Sequence, residues 1–127
     1  MTITNFKDLP IWKDSIRLTK TIYDISARSE FSKDFGLRDQ IRRAVVSVSS
    51  NIVEGFEKSN NNELVRYLRI SKGSLGEVRN QIEIAKVVGY MTEVECASLD
   101  KELADLGSQI AGFIKYLETK KKLAISN

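Results

Sequence analysis

The sequence predicts an all-α protein, an antiparallel up-down-up-down four-helix bundle, and three observations carry that expectation. A single proline, Pro10, and seven glycines in 127 residues leave little to interrupt long helices. Apolar residues recur at i, i+3, i+4 and i+7 through four separate stretches. The joints between the last three stretches are only a few residues long, which forces neighbouring helices to run antiparallel. A chain of this length buries a core without disulfide or metal staples. Its 42% apolar and 29% charged content is that of an ordinary globular domain. One domain is expected over residues 1–119, followed by a basic tail over 120–127.

The first helix is expected to start near Asp8 or Leu9, with Pro10 in its first turn, where a missing N–H costs nothing. Trp12, Ile16, Thr19 and Tyr23 make one stripe at helical spacing, and Ile11, Leu18, Ile22 and Ile25 a second beside it. Residues 29–36 read as a connection. The second helix runs from about Leu37 to Lys58, with Leu37, Ile41, Ala44, Val45, Val48 and Ile52 facing the core. Asn60 with Glu63 has the form of a capping box that opens the third helix. That helix carries Leu64, Leu68, Leu75, Val78, Ile82 and Ala85 on one face and closes at Gly89. Thr92 with Glu95 is a second capping box. The fourth helix follows it, with Cys96, Leu99, Leu103, Leu106, Ile110, Phe113, Ile114 and Leu117 in one stripe.

Composition narrows function by exclusion. Histidine is absent and Cys96 is the one cysteine. Histidine-based nucleophile pairs, histidine haem or zinc ligation, Glu-x-x-His di-iron sites and thiolate metal sites therefore have no residues to build them. No cofactor, metal or small-molecule substrate is expected, and neither is an enzyme. Gly73, Gly76 and Gly89 do not form a phosphate loop, because no strand precedes them and no Gly-Lys-Ser/Thr follows. No apolar run reaches the roughly 20 residues that span a bilayer. The first residues lack the features of a secretory signal. Together with the lone cysteine, read as a core thiol, this points to the cytoplasm.

Two surfaces stand out. Val46 and Val53 on the second helix, and Ile70, Ile84 and Val88 near Gly73 on the third, fall off the core stripes. They read either as scattered surface aliphatics or as an oligomer interface in which Gly73 permits close approach, and their alignment favours the interface. The charge is also uneven. Net charge is +3, but residues 37–88 hold nine basic and six acidic side chains, against two and six over residues 92–119. Arg38, Arg42 and Arg43 cluster at the start of the second helix. Arg66, Arg69, Lys72 and Arg79 share a broad side of the third, and the tail adds Lys120, Lys121 and Lys122. Such cations can neutralise phosphates by counterion release, or form a solvated face with local pairs such as Arg79 with Glu83. Neither aromatic interleaving nor a helix-turn-helix accompanies them, so base-specific readout is not indicated. A polar row of Gln40, Arg43, Ser47, Asn51 and Glu54 reads as an interhelical hydrogen-bond network that fixes register, with Glu54 and Arg43 satisfying each other or a neighbouring subunit.

The stretch Gln40-Ile-Arg-Arg-Ala-Val-Val-Ser-Val-Ser-Ser-Asn-Ile-Val-Glu-Gly-Phe56 resembles the signature of the four-helix-bundle proteins encoded within 23S rRNA intervening sequences. Tyr67-Leu68, Gly73-Ser74-Leu75, Glu77 and the segment from Ile84-Ala85 to Gly89-Tyr90 extend the match. Phe6, Leu9, Trp12 and Gly36-Leu37 fit as well. The resemblance implies a cytoplasmic bacterial bundle that assembles as a homo-oligomeric ring, a pentamer. It also suggests kinship with accessory proteins of diversity-generating retroelements, which associate with nucleic acid and a reverse transcriptase. Arg42, Arg43, Ser47, Asn51, Glu54 and Gly55 occupy the signature positions. Ser49 stands where the family often has proline, and the acidic fourth helix is unlike the strongly basic retroelement relatives. The functional expectation is a non-catalytic oligomer that binds RNA or a ribonucleoprotein. The alternative is a protein-protein interaction scaffold with no nucleic-acid role.

Overall fold

The computed structural model describes residues 3–126, with side chains over residues 3–120. Every regular element among them is helical. A 3-10 turn at Phe6–Asp8 leads into α1 (Pro10–Ser26), followed by α2 (Ser29–Lys33), α3 (Phe35–Glu57), α4 (Asn61–Val87) and α5 (Glu93–Ser126). The four long helices are consistent with a helical bundle. No helix among the described residues is long and apolar enough to cross a membrane.

The chain ends of these helices are set by local chemistry. Pro10 occupies the first position of α1. The expected connection over residues 29–36 instead holds the short helix α2, because Phe31 is pulled into the core at 1% exposure and stacks on Tyr90 with ring centroids 5.2 Å apart. Asp34 then starts α3 two residues before the expected Leu37, accepting from Leu37 N at 3.1 Å while its other oxygen accepts from Tyr90 OH at 3.0 Å. Asn60 Oδ1 accepts from Glu63 N at 3.1 Å, but the reciprocal half of that box is replaced by a Glu63–Arg66 pair. At the other end of α4, Gly89 takes the left-handed conformation at φ 92°. The Tyr90 and Gly89 amides reach back to the Ala85 and Lys86 carbonyls at 2.7 and 3.1 Å, which closes a Schellman motif. Thr92 and Glu95 form the complete box, with bonds of 3.0 and 3.1 Å.

Cross-helix hydrogen bonds fix the register. Ser47 meets Ser74 and Ser71 donates to the Val48 carbonyl between α3 and α4. Arg69 meets Glu118 and Arg79 meets Asp100 between α4 and α5. Arg17 on α1 and Arg28 just past its end meet Glu102 and Glu95 of α5. In each pair residue numbers rise along one helix as they fall along the other, so these neighbours run antiparallel.

The expected core residues of α4 and α5 are all buried except Phe113, which packs partly exposed against the cluster. On α3, Leu37 is likewise only partly buried, while Ser49 and Gly55 join the buried set. The broad apolar face expected on α1 is narrower than the spacing implied. Ile11, Leu18, Ile22 and Ile25 are buried, whereas Ile16 and Tyr23 are about 40% exposed. Ser15 takes a buried place on the same face by donating its hydroxyl to the Trp12 carbonyl at 2.7 Å. The helix α5 runs on to Ser126, through most of the basic segment. The side chains of Lys121 and Lys122, placed on the phosphate-binding set by sequence, lie outside the described residues.

Candidate functional site

The cations singled out by sequence fall into two groups. Arg38, Arg42 and Arg43 sit on the first turns of α3, and two of them serve the packing of that end. Arg42 donates to Ser26 Oγ at 2.8 Å and to the Tyr23 carbonyl at 3.3 Å, with its guanidinium 4.6 Å over the Tyr23 ring. It thereby satisfies a carbonyl at the C-terminal end of α1. Arg38 donates to the Ser32 carbonyl at 3.0 Å, pairs with Asp39 and covers Phe35. Arg43 is exposed and enters no ion pair among the described residues.

The second group lies along α4. Arg66 pairs with Glu63 and lies over Tyr67, and Arg69 pairs with Glu118 at 3.1 Å. Arg79 does not pair with Glu83 as the helical spacing allowed. It forks onto Asp100 at 2.7 and 3.2 Å, and Glu83 pairs with Lys86 at 2.8 Å. The reason is direction: Arg79 points along the α5 side of α4. Its two hydrogen bonds hold the Asp100 carboxyl below the usual carboxylate range and raise its own pKa. Lys72 and Lys120 are exposed and take part in no ion pair among the described residues.

Between α4 and α5 runs a groove of about 380 Å³, floored by Gly76, Ala104, Gly107, Ser108 and Ala111 and flanked by Lys72 and Arg79. Small residues on both helices leave the floor low, so long cationic side chains stand at its rim.

The polar row on α3 is joined only in part. Asn51 donates to the carbonyl and hydroxyl of Ser47 at 2.8 and 2.9 Å, and Ser47 bonds Ser74 at 2.9 Å. Glu54 accepts from Tyr67 OH at 3.4 Å rather than meeting Arg43, because about three helical turns separate them while Tyr67 faces Glu54 across the hairpin. Gln40 and Arg43 line a second groove, of about 400 Å³, with Ala44, Ser47, Ser74, Glu77 and Gln81. Gln81 was not singled out by sequence. It is buried, yet its Oε1 has no hydrogen-bond partner. The signal available was its place seven residues after Ser74, on the α3-facing flank of α4.

Of the aliphatics set aside as an interface, Val46, Ile70, Ile84 and Val88 are 39–52% exposed and Val53 is half-buried. Gly73 is open: a Cβ there would meet no atom within 4 Å, so within one chain it permits no close approach. Inside the chain the close approach of helices is at Gly55, where a Cβ would lie 2.7 Å from Tyr67 Cβ. Cys96 is buried, its thiol pushed up by burial, with Sγ 3.5 Å from the Ile82 carbonyl. Among the described residues no three His, Cys, Asp or Glu side chains gather to hold a metal ion.

The family model described as 23S rRNA-intervening sequence protein matches residues 7–112. A crystal structure of a protein with unknown function from the S23 ribosomal protein family, from Bacteroides thetaiotaomicron VPI-5482, is similar in fold. The TM-score is 0.75 at 19% identity, over 83% of this chain and 98% of that chain. No curated protein sequence matches the chain.

Proposed function

The chain belongs to the 23S rRNA-intervening sequence protein family, and from that premise we propose that it is a non-catalytic, self-associating bundle that binds RNA, free or within a ribonucleoprotein. The observation that carries this reading is the division of α4 into two flanks. Ile70, Glu77 and Ile84 recur at seven-residue intervals, as do Ser74, Gln81 and Val88, on the side that faces α3. Lys72 and Arg79 recur at the same interval beside the α4–α5 groove. One helix thus offers a flank with exposed aliphatics for other copies and a cationic flank for phosphate. Assembly into the ring of five that the family resemblance suggests would repeat the cationic flank and add avidity. A cytoplasmic place of action in a bacterium goes with this reading, supported by the single buried thiol.

A protein-interaction scaffold is the second reading, favoured by the carboxylate partners of Arg38, Arg66, Arg69 and Arg79. Magnitude decides between them. Exposed ion pairs are worth about 0–1 kcal/mol, and the arginine side chains of three of these pairs are 46–58% exposed. Exchange of a carboxylate for an RNA phosphate is therefore inexpensive.

The test is a titration of labelled structured RNA at two salt concentrations, with wild type and an Arg69→Ala/Lys72→Ala/Arg79→Ala variant. Phosphate binding predicts affinity that falls steeply with salt. Each phosphate left without its cation should make the log–log slope shallower by about 0.7–0.9. The triple variant should therefore be shallower by about two to three units, with its assembly mass unchanged. No binding at low salt, or binding indifferent to the triple change, would move the assignment to the scaffold. Ile70→Asp with Ile84→Asp should dissociate the assembly, and an unchanged mass would remove the α3–α4 flank as its interface.

A further inference from the structure

The groove between α4 and α5 has a floor whose side chains are too short to fill it. Gly76, Ala104, Gly107, Ser108 and Ala111 form that floor, beneath about 380 Å³ of open space, and the buried Leu75 and Leu103 back it. Lys72 stands at the rim, exposed and outside any ion pair among the described residues. Arg79, at the same rim, donates from Nε and Nη2 to Asp100. A guanidinium carries five N–H donors, so Nη1 is left to serve a second acceptor. At 1.5 Å per residue the two cations are about 10 Å apart along α4, which leaves room for a nucleoside between the phosphates they would hold.

We infer that this groove takes an unpaired RNA strand, with phosphates on Lys72 and Arg79 and a sugar and base face lowered onto the floor between them. The inference rests on the RNA binding proposed above and adds which form of RNA the α4–α5 site selects. Geometry favours the single strand. Packed helices lie about 8–10 Å apart, and an A-form duplex is a far wider body whose bases are paired inside it. A duplex therefore rests on the rim cations and leaves the floor uncovered. A flexible strand exposes sugar and base faces, which gain by leaving water against glycine and alanine. Phosphate neutralisation alone pulls the other way, because the denser charge of a duplex gives it the larger counterion term. A preference for the single strand is thus the signature of the floor. The lining residues include no aromatic ring, so stacking on the protein does not discriminate between bases and the site tolerates sequence.

The experiment is fluorescence anisotropy on the full chain at low salt, with a labelled oligouridylate and a labelled RNA duplex of equal length as probes. The single strand should bind about fivefold or more tightly than the duplex. Ser108→Leu with Ala111→Leu raises the floor from two exposed positions of α5 and leaves both cations in place. That variant should lose the preference while its duplex affinity stays at the wild-type level. A duplex bound as tightly as the single strand by wild type overturns the inference, and so does a preference that survives the two leucines. In either case salt-sensitive binding leaves the RNA reading standing. A chain that binds neither probe overturns the RNA reading and the inference with it. Circular dichroism follows helix content. Should the double variant lose it, Ala111→Leu alone decides, and an unchanged preference there overturns the inference.

Discussion

A methyl group tells the two signature glycines of the hairpin apart. At Gly55 it would lie 2.7 Å from Tyr67 Cβ and 3.3 Å from Leu64 Cα, on the helix packed against α3. Neither neighbour is the far end of a flexible chain, so Gly55→Ala must push α3 and α4 apart, and chemical denaturation should register a loss of about 1–3 kcal/mol. At Gly73 the methyl group meets nothing. Gly73→Ala should therefore stabilise the isolated chain by about 0.5–1 kcal/mol through helix propensity. The close approach expected at Gly73 is to another copy, and its heptad partners Arg66 and Asn80 point outward from the chain. Gly55 shares its row with Val48, which is buried. The distinction was legible from periodicity at both positions. The unpartnered Gln81 carbonyl was not, because a missing partner is a property of neighbours that only the assembled hairpin brings near.

At the scale of elements, caps prove more legible than connections. Thr92 and Glu95 exchange both bonds of the box read from their spacing, and Thr92→Ala should cost about 1 kcal/mol. The helix α2 escaped the reading because five residues are too few to show a period, and only the burial of Phe31 explains it. The first helix misled for a related reason: two stripes fit its sequence, and only packing selects one. The Thr92 cap also gives stability a pH dependence. The Glu95 carboxyl is held below the ordinary range first by the Thr92 backbone amide and then by Arg28. Asp100 is held down by Arg79. A carboxylate with a depressed folded pKa stabilises above its unfolded pKa, and that contribution disappears as pH falls through the folded value. Melting temperature should therefore drop on acidification below about pH 5. In Glu95→Gln the drop should be smaller, because the amide keeps a capping oxygen but does not titrate. Equal acid sensitivity in the two proteins would remove Glu95 from the account.

Across the whole molecule, charge and apolar surface are distributed rather than concentrated. The basic cluster at the start of α3 and the row along α4 read from sequence as one phosphate-binding set. Folding separates them, since Arg42 is drawn to the end of α1 and Arg79 to Asp100 on α5. Sequence order could not reveal this, because the carboxylates that engage the α4 row at Asp100 and Glu118 belong to the acidic α5, 21 and 49 residues away. The acidic helix is thus the internal competitor for any phosphate that approaches α4. That competition has a measurable consequence. Glu118 is half-exposed and holds Arg69 at 3.1 Å, so Glu118→Gln should free the guanidinium at little cost to stability. An exposed pair of this kind is worth about 0.2–1 kcal/mol, which corresponds to an RNA affinity raised by up to about fivefold if Arg69 contacts phosphate. The gain should vanish when Arg69→Ala is added, because the double variant has no cation left to release. An affinity that rises equally with and without Arg69 would instead reflect the general removal of a negative charge, and would argue against a specific role for the α4 row in holding phosphate.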